Sequence, residues 1–216
     1  FIIDLARAFF SRIEGVDITE AMLSKVDLSS DDCGIGLRMA MIEELPYHSD
    51  SFDAVTAYAV LHHLQDLGDA FSEIYRVMKP GAWFYSDTDP NFYFWEAFRQ
   101  LDPHDSFSQP VLREVKAVHM KDRELEDRFG IAPETINTSD ALKHRTGGFR
   151  EEELVGMLKD IGFSKVEVFY EWFVGEGTAI HSEALRSSVD DIRTVLHDLL
   201  PLTRHLFKYL RIIARK

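Results

Sequence analysis

What this chain has little of narrows it quickly. A single cysteine, Cys33, excludes an internal disulfide framework and fits a reducing, cytoplasmic compartment. Basic residues are scarce: 24 Lys and Arg stand against 37 Asp and Glu, a net charge of −13. That balance argues against nonspecific binding to nucleic acid or to an anionic membrane, which needs phosphate-neutralising cations. No apolar run reaches transmembrane length, so stable membrane insertion is not expected, and no stretch has the pattern of a signal peptide. Internal repeats and low-complexity tracts are missing too. The chain opens on Phe1, without an initiator methionine, and Ile2, Ile3, Leu5, Ala6, Phe9 and Phe10 already fall at helical spacing. A helix over residues 1–11 with something upstream of it is expected.

What remains is enough for one sizeable domain. The 216 residues are 45% apolar and 12% aromatic, the composition of a packed globule. Strands and helices alternate. A strand is expected over 12–17, a helix from about Thr19 to Lys25, a polar loop from Asp27 to Gly34 through Ser29-Ser30-Asp31-Asp32, and short strands at Leu37–Met41 and Ser51–Tyr58. Leu67, Ala70, Phe71, Ile74, Val77 and Met78 share one helical face, and Lys79-Pro80-Gly81 should end that helix. Ala82–Ser86 reads as the next strand, followed by a turn at Asp87-Thr88-Asp89-Pro90. Residues 91–145 read as helical patches with mixed charge, including a solvated face over Lys121–Arg128. A helix over Glu151–Ile161, a strand over Lys165–Phe173, a helix carrying Leu185 to Leu199 and a strand at Tyr209–Arg215, with a basic amphipathic membrane helix as the alternative for that last segment, complete the pass. This alternation implies an α/β fold, a mostly parallel sheet with helices on both faces.

The candidate chemistry sits at strand ends. Asp17 closes an apolar run and precedes a helix, the position from which a nucleotide-binding sheet grips ribose hydroxyls. The competing role for Asp17 is simply to start that helix. His62 and His63 follow the Ser51–Tyr58 strand, and imidazole is suited to general-base work. His62 is the better candidate, and His63 reads as a residue that packs a helix start. Asp87 and Asp89 stand at a strand's carboxyl end, where open α/β sheets bind ligands; forming the turn before Pro90 is the alternative. Adjacent histidines without a spaced third ligand do not make a metal site.

Five features in register carry a resemblance: Asp17, Glu43-Glu44-Leu45-Pro46-Tyr47, Phe52-Asp53-Ala54-Val55, Leu61-His62-His63-Leu64 and Arg76-Val77-Met78-Lys79-Pro80-Gly81. Together, over about residues 1–90, this set resembles the class I S-adenosylmethionine-dependent methyltransferases, the small-molecule branch called type 11. A weaker resemblance covers Gly148–Phe173 and Tyr209–Arg215. It implies a Rossmann-like sheet of order 3-2-1-4-5-7-6 whose strand 1, with its glycine-rich turn, is absent from this chain. It also implies a cofactor-binding core at 1–90, a helical lid at 91–145, and core completion at 146–216 with a second helical insertion near 174–205. S-adenosylmethionine is the implied cofactor, held by Asp17 at the ribose, by Ile18, Met41 and Ile42 around adenine, and by Tyr58, Ala59 and Val60 beside the methionine half. Met41 replaces the family's usual Asp and cannot accept the adenine amino group, although its sulfur can pack on the ring edge. The implied catalytic candidates are His62, Asp87 and Asp89. The aromatic group Phe92, Tyr93, Phe94, Trp95 and Phe98 would belong to the lid, by simple packing ahead of direct substrate contact, and suggests a small apolar or aromatic acceptor.

The expected function is methyl transfer to that acceptor by direct displacement. The alternative is a non-catalytic cofactor-binding or partner-binding module that kept the fold. A nicotinamide dehydrogenase shares the strand-end acid but leaves the L-P-Y, L-H-H-L and K-P-G run unexplained.

Overall fold

The computed structural model describes residues 9–28, 33–64, 66–129 and 147–216, with side chains left out over 120–129. The expected helix over 1–11 falls almost wholly outside these residues, as do the centre of the Asp27–Gly34 loop at 29–32, the Lys121–Arg128 charges and the part of the lid beyond 129, while Gly34 belongs to a strand. Strand β1 (Arg12–Asp17) and β2 (Gly34–Met39) pair in parallel, from Arg12 opposite Gly34 to Asp17 opposite Met39. The second strand therefore begins three residues before the expected Leu37 and ends two residues before Met41. Gly-Ile-Gly carries little strand propensity of its own, and its strand state comes from pairing with β1.

A short helix α1 (Glu20–Leu23) follows β1. Then come β3 (Phe52–Tyr58), a 3₁₀ turn at Leu61–His63, α2 (Leu67–Val77) and β4 (Met78–Pro90). Helix α2 opens on Asp66, whose carboxylate accepts from Gly68 N at 2.7 Å, and buries Leu67, Ala70, Phe71, Ile74 and Val77. Its outer face does further work: Glu73 accepts from Leu45 N (2.8 Å), while Arg76 donates to Tyr47 O (2.8 Å) and Leu45 O (3.1 Å). The Leu45-Pro46-Tyr47 loop is thus clamped by an ion pair on the next helix.

Lys79-Pro80-Gly81 does not separate helix from strand. Met78 already pairs with Phe52, the strand bends at Gly81 (φ 83°), and regular pairing resumes at Ala54 opposite Trp83. Nor is Asp87-Thr88-Asp89-Pro90 a turn after the strand: it lies inside β4, because β6 pairs with Asp89 and Pro90.

Beyond β4 lie α3 (Phe92–Arg99), α4 (Gln109–Phe129), α5 (Glu151–Ile161), β5 (Lys165–Phe173), α6 (Glu176–His181), α7 (Val189–Asp198) and β6 (Phe207–Arg215). The segment expected as one helix from Leu185 to Leu199 begins as a 3₁₀ turn at Arg186–Ser188. Gly148 has φ 126°, and a Cβ there would lie 2.7 Å from Pro90 O and 2.8 Å from Phe92 N. Only glycine allows the 147–150 segment to approach the end of β4 so closely, through the Asn91–Phe149 bridge.

The strands form two hydrogen-bonded groups, β1–β2 and β3–β4–β6–β5. Among the described residues β1 and β3 each keep an unpaired edge. The β4–β6 and β5–β6 pairs are antiparallel. The antiparallel share exceeds what strand–helix alternation suggests, because the chain leaves β5 and returns from the same end into β6. The main core joins Phe71, Ile74, Met78, Phe84, Leu158 and Phe207 with Leu210 and Ile212. Burying a side chain of that size contributes about 1.5–3 kcal/mol. A second small core of Phe94, Trp95, Phe98 and Val115 lies between α3 and α4.

Candidate active site

Two clusters of strand ends carry the expected site residues. At the first, Asp17 is half-buried, and its Oδ1 accepts from Thr19 N (2.8 Å) and Thr19 Oγ1 (2.7 Å). With one oxygen the residue therefore braces Thr19, which precedes the first turn of α1, while no side chain caps the helix itself. The other oxygen of Asp17 has no partner among the described residues. The pairing of Asp17 with Met39 and the bond from Ala40 N to Asp17 O (3.1 Å) bring Met41 close by in the chain. Ile18 and Met41 are both exposed, at 69% and 59%, while Ile42 packs against the main core. Free carboxylate acceptor beside exposed apolar surface is a donor set that fits a ribose and a purine ring.

The second cluster is built by a defect in β4. Phe84 and Ser86 face the core and are buried, whereas Tyr85 and Asp87 face the other way. Strict alternation would put Asp89 beside Asp87. Instead the register with β6 shifts between Ser86 and Asp89, and Thr88 adopts φ 67°. A β-branched residue is strained in that region, and such strain is often found at functional positions. The bulge turns Asp89 onto the face of Ser86.

There Asp89 is 1% exposed. Its Oδ1 accepts from His62 Nδ1 at 3.0 Å and from His62 N at 3.3 Å, and its Oδ2 accepts from Ser86 Oγ at 2.6 Å. A carboxylate on Nδ1 holds the proton there and leaves Nε2 with its lone pair. The imidazole itself is nearly buried, tilted against His63 with ring centroids 4.1 Å apart. Tyr58, Ala59 and Val60 lead into this turn. Tyr58 is exposed, and Ala59 is also held at positive φ (52°), its N–H donating to Asp87 O at 2.9 Å.

Asp87 belongs to a different group across the sheet. It accepts from Tyr85 Oη (2.6 Å) and Arg211 Nε (3.3 Å), and Arg211 also meets Glu171 (2.9 Å). Burial, then the hydrogen bond and charge of Asp87, push the Tyr85 phenol up to about 12. Burial raises Glu171 too, against the opposing charge of Arg211. The structure therefore brings His62 and Asp89 together and sets Asp87 apart. Ser86, absent from the sequence-based candidates, joins them; a lone serine in an apolar strand gives no signal that would have found it.

The aromatic group after Pro90 packs internally. Phe94, Trp95 and Phe98 are buried in the second core, with Phe94 and Phe98 stacked at 4.2 Å. Asn91 ties the group to the sheet through bonds to Arg204 O and Phe207 O, both at 2.7 Å.

An open α/β sheet with Asp17 at one strand end and a buried acid–imidazole pair at another has its polar groups where such sheets bind ligands. Comparison with known proteins sharpens that reading. Residues 1–86 match the family described as "Methyltransferase domain". The chain is 28% identical over 193 residues to the ubiquinone/menaquinone biosynthesis C-methyltransferase of Proteus mirabilis, covering 81% of this chain and 67% of that protein. It is 32% identical over 98 residues to the biotin biosynthesis bifunctional protein of Teredinibacter turnerae, covering 42% of this chain but only 17% of the relative's length. Among solved structures, an S-adenosylmethionine-dependent methyltransferase from Mesorhizobium loti shares the fold with a TM-score of 0.58 at 18% identity, covering 100% of this chain and 86% of that one. The Haemonchus contortus phosphoethanolamine N-methyltransferase 2, solved with S-adenosylmethionine, aligns with a TM-score of 0.51 at 15% identity, over 99% of this chain and 45% of that one. Residues 1–86 thus match the methyltransferase family, and the whole chain shares the fold of S-adenosylmethionine-dependent methyltransferases. No described helix is long and apolar enough to cross a membrane.

Proposed function

We propose that this chain carries out methyl transfer from S-adenosylmethionine to a small organic acceptor, with His62 as general base. The observation that carries the proposal is the buried Ser86–Asp89–His62 network at the carboxyl ends of β3 and β4. When bound, S-adenosylmethionine supplies a methyl group already activated on a sulfonium. What the chain must add is alignment of the acceptor, exclusion of water and, for a weakly acidic acceptor, removal of a proton. His62 Nε2 takes that proton. Asp89 holds the productive tautomer and balances the positive imidazole, and Ser86 fixes Asp89.

Asp17 with its free oxygen, Ile18, Met41 and Ile42 form the ribose and adenine end of the cofactor site, and Tyr58, Ala59 and Val60 border its methionine half. Purine reading rests on the Ile42 backbone and apolar packing, since Met41 offers no strong acceptor. The proposal includes an apolar or aromatic acceptor, in line with the quinone-pathway relative named above and with the Mycobacterium tuberculosis phthiotriol/phenolphthiotriol dimycocerosates methyltransferase, 30% identical over 122 residues. It also includes a cytoplasmic setting, which the single cysteine favours. The test is calorimetric titration with S-adenosylhomocysteine, followed by methyl incorporation from labelled cofactor into a panel of acidic aromatic acceptors. Saturable binding with incorporation supports the proposal. Binding without incorporation into any acceptor favours the non-catalytic cofactor-binding module, and absence of binding refutes methyl transfer and leaves the partner-binding module.

A further inference from the structure

A cavity of about 210 Å³ opens between α4, the β5–α6 turn and the start of β6, and none of the roles above uses it. Trp172 forms one wall. It is held at φ 64°, between the regular pairs Glu171–Tyr209 and Phe173–Phe207, and the residue is 43% exposed. Left-handed backbone at a bulky residue is a strained state that surrounding structure must impose. The ring lies against Gly177, where an added Cβ would come 3.4 Å from Cζ2.

The remaining lining includes Arg113, Glu114, Thr178 and Lys208. Lys208 Nζ and Glu114 Oε2 satisfy each other at 2.7 Å and are largely buried, so that pair is electrically closed. Arg113 has no carboxylate partner among the described residues. A flat apolar wall with one uncommitted guanidinium is the chemistry that recognises an organic anion, since the guanidinium fork matches a carboxylate. The place is also informative. Lys208 O accepts from Asn91 N at 3.1 Å, two residues beyond Asp89, so the cavity lies at the end of β4 that carries the acid–imidazole pair.

We propose that this cavity binds a small carboxylate with a flat hydrocarbon body, the ring against Trp172 and the carboxylate on Arg113, with Thr178 as an additional hydrogen-bonding group. Naming that occupant as the acidic end of the methyl acceptor rests on the methyl-transfer reading; the binding itself does not. The test follows tryptophan fluorescence while phenylacetate, phenylacetamide and acetate are titrated in turn. Phenylacetate should give a saturable change that the neutral amide and the ringless acetate do not match. Trp172→Phe should abolish the signal while Trp83 and Trp95 still emit, and Arg113→Gln, at an exposed position, should weaken binding about tenfold. An equal response to the amide, a response retained in Trp172→Phe, or no saturable response overturns the proposal. A parallel titration with S-adenosylhomocysteine separates the two ideas. If it fails while phenylacetate binds, the carboxylate site stands and its occupant is not a methyl acceptor.

Discussion

Replacing Asp89 by asparagine tests the catalytic reading with little disturbance of shape. The carboxylate is 1% exposed and accepts three hydrogen bonds, two from His62 and one from Ser86. Asparagine keeps one oxygen for His62, and its amide can donate to the freely rotating Ser86 hydroxyl, so the fold should survive with a loss of about 1–2 kcal/mol. What disappears is the negative charge beside an imidazole that becomes positive as it takes the proton. With the charge centres about 4 Å apart and an effective dielectric of about 20, that attraction is worth at most about 4 kcal/mol. Positioned proton transfer contributes about 10²–10⁴-fold in enzymes generally. The expected result is a fall in kcat of about 10²–10³-fold for an acceptor that needs deprotonation, with unchanged affinity for S-adenosylhomocysteine. His62→Ala should lose a similar factor, and the double variant should lose little more, because the two residues act as one unit. The assay is methyl incorporation from labelled cofactor, paired with thermal unfolding. A folded Asp89→Asn variant whose kcat stays within about threefold of the parent would refute a base built on this pair.

Further outcomes follow from other sites. Asp17→Ala should weaken S-adenosylhomocysteine binding by about 1–3 kcal/mol, read by calorimetry, and an unchanged affinity would remove Asp17 from the cofactor site. Gly148→Ala forces a Cβ to 2.7 Å from Pro90 O at φ 126° and should cost at least about 2 kcal/mol in denaturant unfolding, whereas Gly156→Ala, with open space around it, should not destabilise. Thr88→Gly keeps the bulge and relieves its strain, so it should raise stability by about 1 kcal/mol without moving Asp89. The hydrogen bond from Arg76 holds Glu73 below its usual value, helped by Leu45 N against the cost of burial. A depressed carboxylate stabilises the fold above its unfolded value near 4.5 and loses that contribution as pH falls through the lower folded value. Glu73→Gln should therefore be about 1 kcal/mol less stable than the parent at neutral pH, with the gap closing in acid; a pH-independent gap would contradict the clamp.

Local pattern carried much of this protein. The spacing of Leu67, Ala70, Phe71, Ile74 and Val77 marked α2, and alternation marked β5, because an amphipathic face and a pleat leave their period in the residues themselves. Asp17 was legible as a strand-end acid for the same reason, since the apolar run before it stops abruptly. The extent of β2 and the course of β4 were not legible. Gly34-Ile35-Gly36 and Lys79-Pro80-Gly81 read locally as breaks; pairing with β1 makes the first strand, and the second is an irregular stretch between the pairs Met78–Phe52 and Trp83–Ala54. The aromatic group of Phe94, Trp95 and Phe98 was visible, but its burial against Val115 depends on where α4 lies.

The choice between Asp87 and Asp89 shows where the division falls. From the residues alone, both are carboxylates at one strand end, two positions apart, and strict alternation would put them on the same face. The sequence by itself determined the α/β class, the strand-end acid Asp17 and the imidazole at position 62. Tertiary structure decided that Thr88 is an extra residue in the ladder with β6, which sends Asp87 to Arg211 and Asp89 to His62. Period-two geometry is a property of the local chain, whereas a bulge is a property of two strands whose registers disagree, and the second strand arrives more than a hundred residues later.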